Sequence, residues 1–156
     1  MARLFLGLGS NLGNKQANLQ QAIQLIEKSV GHVLVQSAFY TTKAWGYTSD
    51  NEFLNDCIAV ETPLDAHECL QKTQAIERQL GRTHKSQNGE YQDRLIDIDI
   101  LFYDQMVLSE PDLCIPHPLL QQREFVLRPL AEIAPDFRHP QLNKTCRELL
   151  ASLEAV

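Results

Sequence analysis

One segment of the sequence alternates strictly between isoleucine and aspartate, in the order Ile96-Asp97-Ile98-Asp99-Ile100. Side chains of a strand point alternately to its two faces, so this alternation predicts a strand with one apolar face and one acidic face. Aspartate is disfavoured in strands, and two carboxylates on one face repel each other unless a cation lies between them. The segment therefore requires a hydrophobic core behind the isoleucines and points to a divalent cation at the aspartates.

Three further segments have the composition of strands. Runs rich in apolar, β-branched and aromatic residues predict strands at 3–9, 32–42 and 52–62, in addition to the acidic strand at 95–103. Turn-forming residues fill 43–51, and this short connection favours antiparallel pairing of the second and third strands.

Helical spacing of apolar residues separates these strands. Leu19 and Ile26 belong to a first predicted helix that ends near Gly31, a residue type common just after helix C-termini. Asp65 begins a second predicted helix, and Glu68 three residues later completes the pattern of a capping box.

The order of elements, β-α-β-β-α-β, predicts a ferredoxin-like antiparallel sheet with two helices on one face. The last third of the chain adds proline-punctuated loops and a helix near 144–154, whose leucines would cover the other face. The predicted fold is thus α+β with helices on both faces, a three-layer α/β/α arrangement. Neither a linker nor an internal repeat is visible, so residues 1–156 are expected to form a single domain.

Charge and composition restrict the partners. The net charge of −6 disfavours nonspecific nucleic-acid binding, which depends on Lys and Arg at phosphates. No signal peptide is apparent, and no apolar run approaches the roughly 20 residues needed to cross a bilayer, so we expect a cytoplasmic protein that binds neither membranes nor nucleic acids. We also expect a monomer. The four cysteines form no C-x-x-C pair, which argues against a zinc site and favours reduced thiols.

A polar stretch at 82–94 directly precedes the acidic strand and contains Arg82, His84, Lys85 and Arg94. Carboxylate oxygens prefer magnesium, calcium or manganese, and a cationic loop beside such a metal suits a triphosphate. Two simpler interpretations remain open: a solvated loop, and an acidic strand face that only discourages edge aggregation.

Other residues suggest an aromatic ligand. Trp45, Phe53 and Phe125 could stack on a flat heterocycle whose edge Asn55 would read, although each alone is more typical of a core or turn. The glycines of 7–13 match neither the dinucleotide-binding pattern nor the P-loop, and they favour a sharp strand exit or close approach of a ligand.

Further polar residues are candidates by position. His117 lies in a rigid Pro-His-Pro stretch, and Arg123 precedes an apolar run; each could equally be an ordinary surface residue. Gln74 and Glu77 are one helical turn apart and could both face the cationic loop, or form only a polar helix face.

Short motifs occur in order along nearly the whole chain. They are Gly9-Ser10-Asn11-Leu12, Phe39-Tyr40-x-Thr42, Phe53-Leu54-Asn55, Glu77-x4-Arg82, Arg94-x-x-Asp97-Ile98-Asp99-Ile100-Leu101, Pro116-His117-Pro118, Arg123-x-Phe125-Val126-Leu127-x-Pro129-Leu130 and Ala131-Glu132-Ile133-Ala134-Pro135. The ordered set resembles the 6-hydroxymethyl-7,8-dihydropterin pyrophosphokinase family of folate synthesis and is more specific than any one motif.

This resemblance implies transfer of pyrophosphate from ATP to the hydroxymethyl group of the pterin, with release of AMP. It implies two magnesium ions at Asp97 and Asp99, with Arg82 and Arg94 as further catalytic residues. The implied ATP contacts are Gln74, Glu77, Arg94, Ile98, His117 and Arg123. The implied pterin contacts are Gly9, Thr42, Lys43, Ala44, Trp45, Phe53, Asn55 and Phe125.

The chain departs from the usual family pattern at His84, Tyr91 and Asp93 of the loop, and Phe53 stands where tyrosine is common. Two rival classes share the predicted topology: a non-catalytic small-molecule sensor and an RNA-binding module. The sensor leaves the acidic pair unexplained, and the RNA-binding module would need a basic sheet face.

Overall fold

The computed structural model describes residues 1–43, 52–81 and 95–155. Its strands are β1 (Ala2–Ser10), β2 (His32–Gln36), β3 (Tyr40–Thr42), β4 (Phe53–Thr62), β5 (Asp97–Tyr103), β6 (Leu108–Ser109) and β7 (Cys114–Ile115). Its α-helices in the described ranges are α1 (Lys15–Ser29), α2 (Ala66–Gln79), α3 (Glu124–Ile133) and α4 (Cys146–Glu154), with a 3₁₀ turn at Leu120–Gln122.

The main sheet is antiparallel, with strand order β2-β4-β1-β5 and with β3 also paired to β4. The predicted mixture of helices with an antiparallel sheet is confirmed, as is the antiparallel pairing of the second and third predicted strands. In the described part of the chain, β6 and β7 form a separate two-stranded sheet.

Apolar side chains are buried on both faces of the main sheet. Leu4, Leu6 and Ile58 belong to one buried cluster, which α1 and α2 cover. Phe5 and Cys57, which alternate with them, belong to a second cluster under α3 and α4. Both faces of the long central strands are therefore apolar, which explains their nearly continuous hydrophobic sequences.

The alternation of β5 is interrupted at Leu101. Leu6 pairs with Ile100 and Phe5 with Phe102, which leaves Leu101 as an extra residue in a β-bulge. Leu101 and Phe102 consequently both pack in the second cluster. The bulge lets Phe102 join the aromatic core without disturbing the isoleucine–aspartate alternation before it.

The predicted start of the second helix is confirmed in detail. The backbone N–H of Glu68 donates to Asp65 Oδ1 at 2.8 Å, and the N–H of Asp65 donates to Glu68 Oε1 at 3.0 Å. These two bonds form the expected capping box, in which otherwise unpaired backbone donors are satisfied at the helix terminus.

Two predictions about local structure were wrong. The single strand at 32–42 is divided into β2 and β3, because the chain leaves the β4 ladder after Ser37. Helix α3 lies where only proline-punctuated loops were predicted: Pro129 is inside it, and an interior proline costs about 3 kcal/mol. Burial of Val126, Leu127 and Leu130 against the sheet outweighs that cost.

In the described segments, no helix combines the length and the apolar character that a membrane crossing needs. The four cysteine thiols are free, and Cys57, Cys69 and Cys146 are buried.

Asp56 is a carboxyl group buried on the α1–α2 face of the sheet. It lies opposite Leu8 and is 1% exposed. Gln36 Nε2 donates to its Oδ2 at 3.3 Å, whereas Oδ1 has no hydrogen-bond partner among the described residues. Burial raises the pKa of Asp56 to about 7, against the opposing effect of the Gln36 bond.

We expect this buried carboxyl group to make stability depend on pH. Its folded-state pKa exceeds its unfolded-state value, so its full contribution to stability is present below about pH 4 and is lost as pH rises toward 7. In urea unfolding, the free energy of unfolding of Asp56→Asn relative to that of the wild type should rise by roughly 2–3 kcal/mol between about pH 5 and pH 8. Asp136→Asn, at an exposed carboxylate, is the control. If the stability of Asp56→Asn depended on pH as that of the wild type does, Asp56 would not be the group responsible.

Candidate active site

The two carboxylates of the alternating segment lie on the face of β5 that is turned toward α3. Asp97 pairs with Gly9 of β1, and Asp99 pairs with Gly7. Residues directly opposite in an antiparallel pair share a face, so both aspartates lie beside positions that have no side chain. Across β1, Gly9 pairs in turn with Asn55 of β4. The carboxylates and Asn55 thus line one face of the sheet with only glycine between them.

Strand β5 is an edge strand, and two polar groups bind its outer edge. The backbone N–H of Ile98, between the two aspartates, donates to Glu77 Oε2 at 2.8 Å. The backbone N–H of His117 donates to the carbonyl of Leu101 at 3.0 Å. Ile98 and Ile100 are themselves buried in the α1–α2 cluster. The acidic pair is therefore supported by packing behind it and by hydrogen bonds along its edge.

The start of α3 brings a cation and an aromatic ring to the carboxylates. Arg123, the N-cap residue of α3, is 8% exposed, and its Nη1 lies 3.8 Å from Asp99 Oδ2. Its guanidinium carbon lies 5.5 Å from the centroid of the Phe125 ring, within the range of a cation–π contact. A positive charge, a carboxylate and a ring thus meet at one end of the helix.

His117 is a neutral member of this group. Burial and, to a smaller extent, the charge of Arg123 lower its pKa to about 4, and the charge of Asp97 opposes this shift. The backbone N–H of Leu119 donates to His117 Nδ1 at 3.2 Å, so the ring proton of the neutral imidazole is on Nε2. His117 can therefore donate one hydrogen bond through Nε2 but carries no charge at neutral pH.

A second part of the site lies beyond Gly9. Asn55 is 4% exposed, and its Nδ2 donates to Thr42 Oγ1 at 2.7 Å. A Cβ atom at Gly9 would lie 2.9 Å from Asn55 Oδ1 and 3.4 Å from the Phe53 ring. Only glycine leaves Asn55 and Phe53 in this arrangement, which accounts for the close approach expected at Gly9.

A groove adjoins this second part between β3 and α3. Its volume is about 480 Å³. It is lined by Tyr40, Thr41, Thr42, Gln122, Glu124, Phe125, Arg128 and Leu153. Thr42 and Phe125 are predicted ligand contacts from distant parts of the sequence, and the groove brings them to opposite sides of one opening.

The other predicted site residues are placed less closely. Gln74 is exposed on α2, one turn from the buried Glu77. Lys43 is exposed directly after β3. Ala44, Trp45, Arg82 and Arg94 lie outside the described residues, as do the loop departures His84, Tyr91 and Asp93.

The sequence predicted no function for two residues near the groove. Tyr40 and Glu132 occur in the ordered motifs, but neither forms a recognisable catalytic pattern. In the structure the Tyr40 hydroxyl donates to Glu132 Oε1, and the backbone N–H of Ala38 donates to Glu132 Oε2 at 2.9 Å. Their position in conspicuous motifs was the only sequence signal for this contact.

One further group of ligand-type side chains lies at the opposite end of α2 from Glu77. His67, Glu110 and Asp112 place one ligand atom each within 4.8 Å of one another. His67 Nε2 lies 2.5 Å from Glu110 Oε2, and this bond raises the pKa of His67. The pair connects α2 to the turn between β6 and β7.

Comparison with known proteins gives one consistent family. A family model described as 7,8-dihydro-6-hydroxymethylpterin-pyrophosphokinase (HPPK) matches residues 5–135. A 2-amino-4-hydroxy-6-hydroxymethyldihydropteridine pyrophosphokinase of Porphyromonas gingivalis is 45% identical over 142 residues, which is 90% of this chain and 96% of the relative. The enzyme of the same name from Methylorubrum extorquens is 42% identical over 155 residues, covering 99% of this chain and 95% of the relative.

A solved structure has the same fold. The wild-type HPPK-DHPS of Plasmodium falciparum aligns with a TM-score of 0.78 over 97% of this chain, at 18% identity. The present chain spans 44% of that longer protein. At this identity the likeness concerns the fold alone.

The neighbours of His117 should move its pKa in opposite directions. Arg123→Met removes a positive charge and should raise the pKa of His117, although burial keeps it below its ordinary value. Asp97→Asn removes a negative charge and should lower it. NMR titration of the imidazole ring protons in metal-free protein measures both shifts, with His117→Gln to assign the signal.

His139 provides an internal control, because burial alone lowers its pKa. Its titration should be the same in wild type and both variants. Shifts of equal sign at His117 in the two variants would show that the group is not arranged as described.

Proposed function

The chain belongs to the 7,8-dihydro-6-hydroxymethylpterin-pyrophosphokinase family, and from this premise we propose how its residues carry out the family's reaction. The chain transfers pyrophosphate from ATP to the hydroxymethyl group of 6-hydroxymethyl-7,8-dihydropterin, releases AMP and serves folate biosynthesis. The observation that carries the residue assignment is the row of Asp97, Gly9 and Asn55 across one sheet face. This row connects Asp97, where a cation would bind, to Asn55, beside which an aromatic ring would bind.

Asp97 and Asp99 are the proposed magnesium ligands. Both are only partly buried, both offer carboxylate oxygens, and the opposing glycines leave the β1 side of the pair without side chains. Such a donor set suits a hard divalent cation. When bound, magnesium would neutralise the charge of the triphosphate and hold it for transfer, with two ions expected.

Residues from α3 and the loop before it complete the proposed ATP site. The Arg123 guanidinium can bind phosphate oxygens, and neutral His117 can donate a hydrogen bond through Nε2. Gln74, Glu77 and Ile98 are assigned to the nucleotide, and Arg82 and Arg94 to the phosphates, on the family pattern. Transfer of this kind depends on alignment and charge neutralisation more than on covalent catalysis, so no general base is assigned.

The pterin is proposed to bind between the sheet and α3. Phe53 and Phe125 offer aromatic faces for stacking, and the amide of Asn55, held by Thr42, can read the hydrogen-bonding edge of the ring. Gly9 allows the ring to approach the sheet, and the backbone of Lys43, Ala44 and Trp45 is assigned to the same edge. With the ring in this position, the hydroxymethyl group would lie on the side of Gly9 that faces Asp97.

The rest of the assignment follows from the fold. We propose that residues 1–156 form one ferredoxin-like domain with helix layers on both faces, because α1–α2 and α3–α4 cover separate buried clusters. We also propose that the protein is a cytoplasmic monomer whose partners are ATP, magnesium and the pterin.

Removal of either metal ligand should abolish turnover. Asp97→Asn and Asp99→Asn each lose charge that holds the cation, so we expect kcat to fall by roughly a thousandfold or more. The assay is incubation with magnesium, ATP and hydroxymethyldihydropterin, followed by mass measurement of AMP and the pterin diphosphate. Asp112→Asn, which makes the same change at an exposed turn, should keep wild-type activity. Substantial activity in the double variant would exclude the metal role, and pterin binding without any AMP would favour the sensor class.

Two glycines of one strand allow a matched test of the pterin site. The added methyl of Gly9→Ala would lie 2.9 Å from Asn55 Oδ1 and must displace that amide, so pterin affinity should fall about tenfold or more. In Gly7→Ala the methyl meets Leu101 at 3.5 Å, an ordinary contact, and pterin affinity should be preserved. Isothermal titration measures both affinities, with melting temperature as the check on folding. Equal losses in the two variants would argue against pterin binding at Asn55.

A further inference from the structure

Glu132 bridges α3 to the segment that leads into β3. One of its carboxylate oxygens accepts the backbone N–H of Ala38 at 2.9 Å, and the other accepts the Tyr40 hydroxyl. These contacts join residues separated by 94 and 92 positions in the sequence.

The bridged segment is where the chain leaves and rejoins the sheet. The Ser37 N–H donates to the Cys57 carbonyl at 2.9 Å, and the Cys57 N–H donates to Ser37 Oγ at 3.0 Å. The chain then departs from β4, and the Ala38 N–H turns to Glu132. At Tyr40 it rejoins the ladder opposite Asn55. Glu132 therefore binds both ends of the interruption that separates β2 from β3.

The rejoined strand controls the orientation of Asn55. Thr42 lies opposite Phe53, and its hydroxyl accepts the Asn55 amide at 2.7 Å. A shift of β3 along or away from β4 would break this bond, and the Asn55 amide could then rotate. Because Asn55 is 4% exposed, little solvent is available to replace the lost partner.

The same bridge sets the width of the opening. Glu132 lies seven residues after Phe125 on α3, a spacing that places both on one side of a helix. Phe125 and Thr42 line the groove between α3 and β3. A bond from Glu132 to β3 therefore limits how far the Phe125 wall can move from the Thr42 wall.

We propose that Glu132 is a positioning residue for pterin binding: its two hydrogen bonds hold β3 against α3, and this fixes the Asn55 amide and the Phe125 ring at the separation that the pterin needs. The inference rests on the proposed function, because it names the pterin as the ligand of the opening. Glu132 does not touch the substrate; it acts through Tyr40, Thr42 and Asn55.

The protonation states suit this role. Glu132 is exposed, and each of its two side-chain oxygens accepts one of the two hydrogen bonds. The hydrogen bond and the charge of Glu132 raise the pKa of Tyr40, so its phenol stays protonated and donates. Since exposed pairs contribute little to stability, loss of the bridge should change binding more than folding.

The test is the Michaelis constant for each substrate in Glu132→Ala, Glu132→Gln and Tyr40→Phe. Glu132→Ala removes both acceptors and should raise KM for the pterin about tenfold, while KM for ATP stays within about twofold of wild type. Glu132→Gln keeps one acceptor oxygen and should give an intermediate value. In the double variant Tyr40→Phe with Glu132→Ala the effects should not multiply, because both changes break one bridge.

Asp136→Ala is the matched control, because it removes an exposed carboxylate just after α3 that pairs with Arg147 and not with the segment before β3. It should leave both KM values unchanged. An unchanged pterin KM in Glu132→Ala would overturn the proposal, and so would an equal rise of both KM values with a lower melting temperature. Wild-type turnover measured alongside separates the two hypotheses: a wild type that makes no AMP overturns the proposed function and this inference together, whereas an active wild type with unaffected variants overturns this inference alone.

Discussion

The register between β1 and β5 determines where the functional groups lie. With Gly9 opposite Asp97 and Gly7 opposite Asp99, both carboxylates face α3 and both neighbouring isoleucines face α1 and α2. A slip of one residue would turn every side chain of β5 to the other face, which would bury the carboxylates and expose the isoleucines. Burial of Ile98 and Ile100 therefore specifies the position of the acidic pair, so the hydrophobic core and the proposed active site depend on one strand pairing.

Helix α3 supplies the opposite wall of the site. Its N-cap Arg123 reaches Asp99, its first turn carries Phe125, and its last turn carries Glu132, which binds the segment before β3. The helix packs on the sheet through Val126, Leu127 and Leu130. The apolar side of α3 thus anchors it, and the polar and aromatic residues at its two ends face the opening. A binding site between a sheet and a packed helix is held at a constant width by the same contacts that stabilise the fold.

The carboxyl groups of the sheet show how environment sets chemical character. Asp99 lies near the Arg123 guanidinium on the partly exposed face, where a cation can share its charge. Asp56 lies on the other face and is almost fully buried, with the Gln36 amide as its one hydrogen-bond partner among the described residues, so burial raises its pKa. His117 is likewise buried beside Arg123 and is neutral as a result. Among the described residues, the proposed site therefore combines one buried cation, two accessible carboxylates and one neutral donor, an arrangement that suits a metal-bound polyphosphate.

Local patterns in the sequence determined the acidic strand, the capping box at Asp65 and Glu68, and the alternation of strands and helices, because each depends on residues only a few positions apart. The ordered motifs also identified the family.

Tertiary structure decided three other features: helix α3, the interruption between β2 and β3, and the bulge at Leu101. Pro129 argues locally against a helix that burial stabilises, and the chain leaves the sheet at Ala38 where Glu132, 94 residues later, accepts its N–H. Leu101 bulges where Phe102 must reach the second core. Contacts between residues so distant in sequence leave no periodic signal, and only the folded chain brings them together.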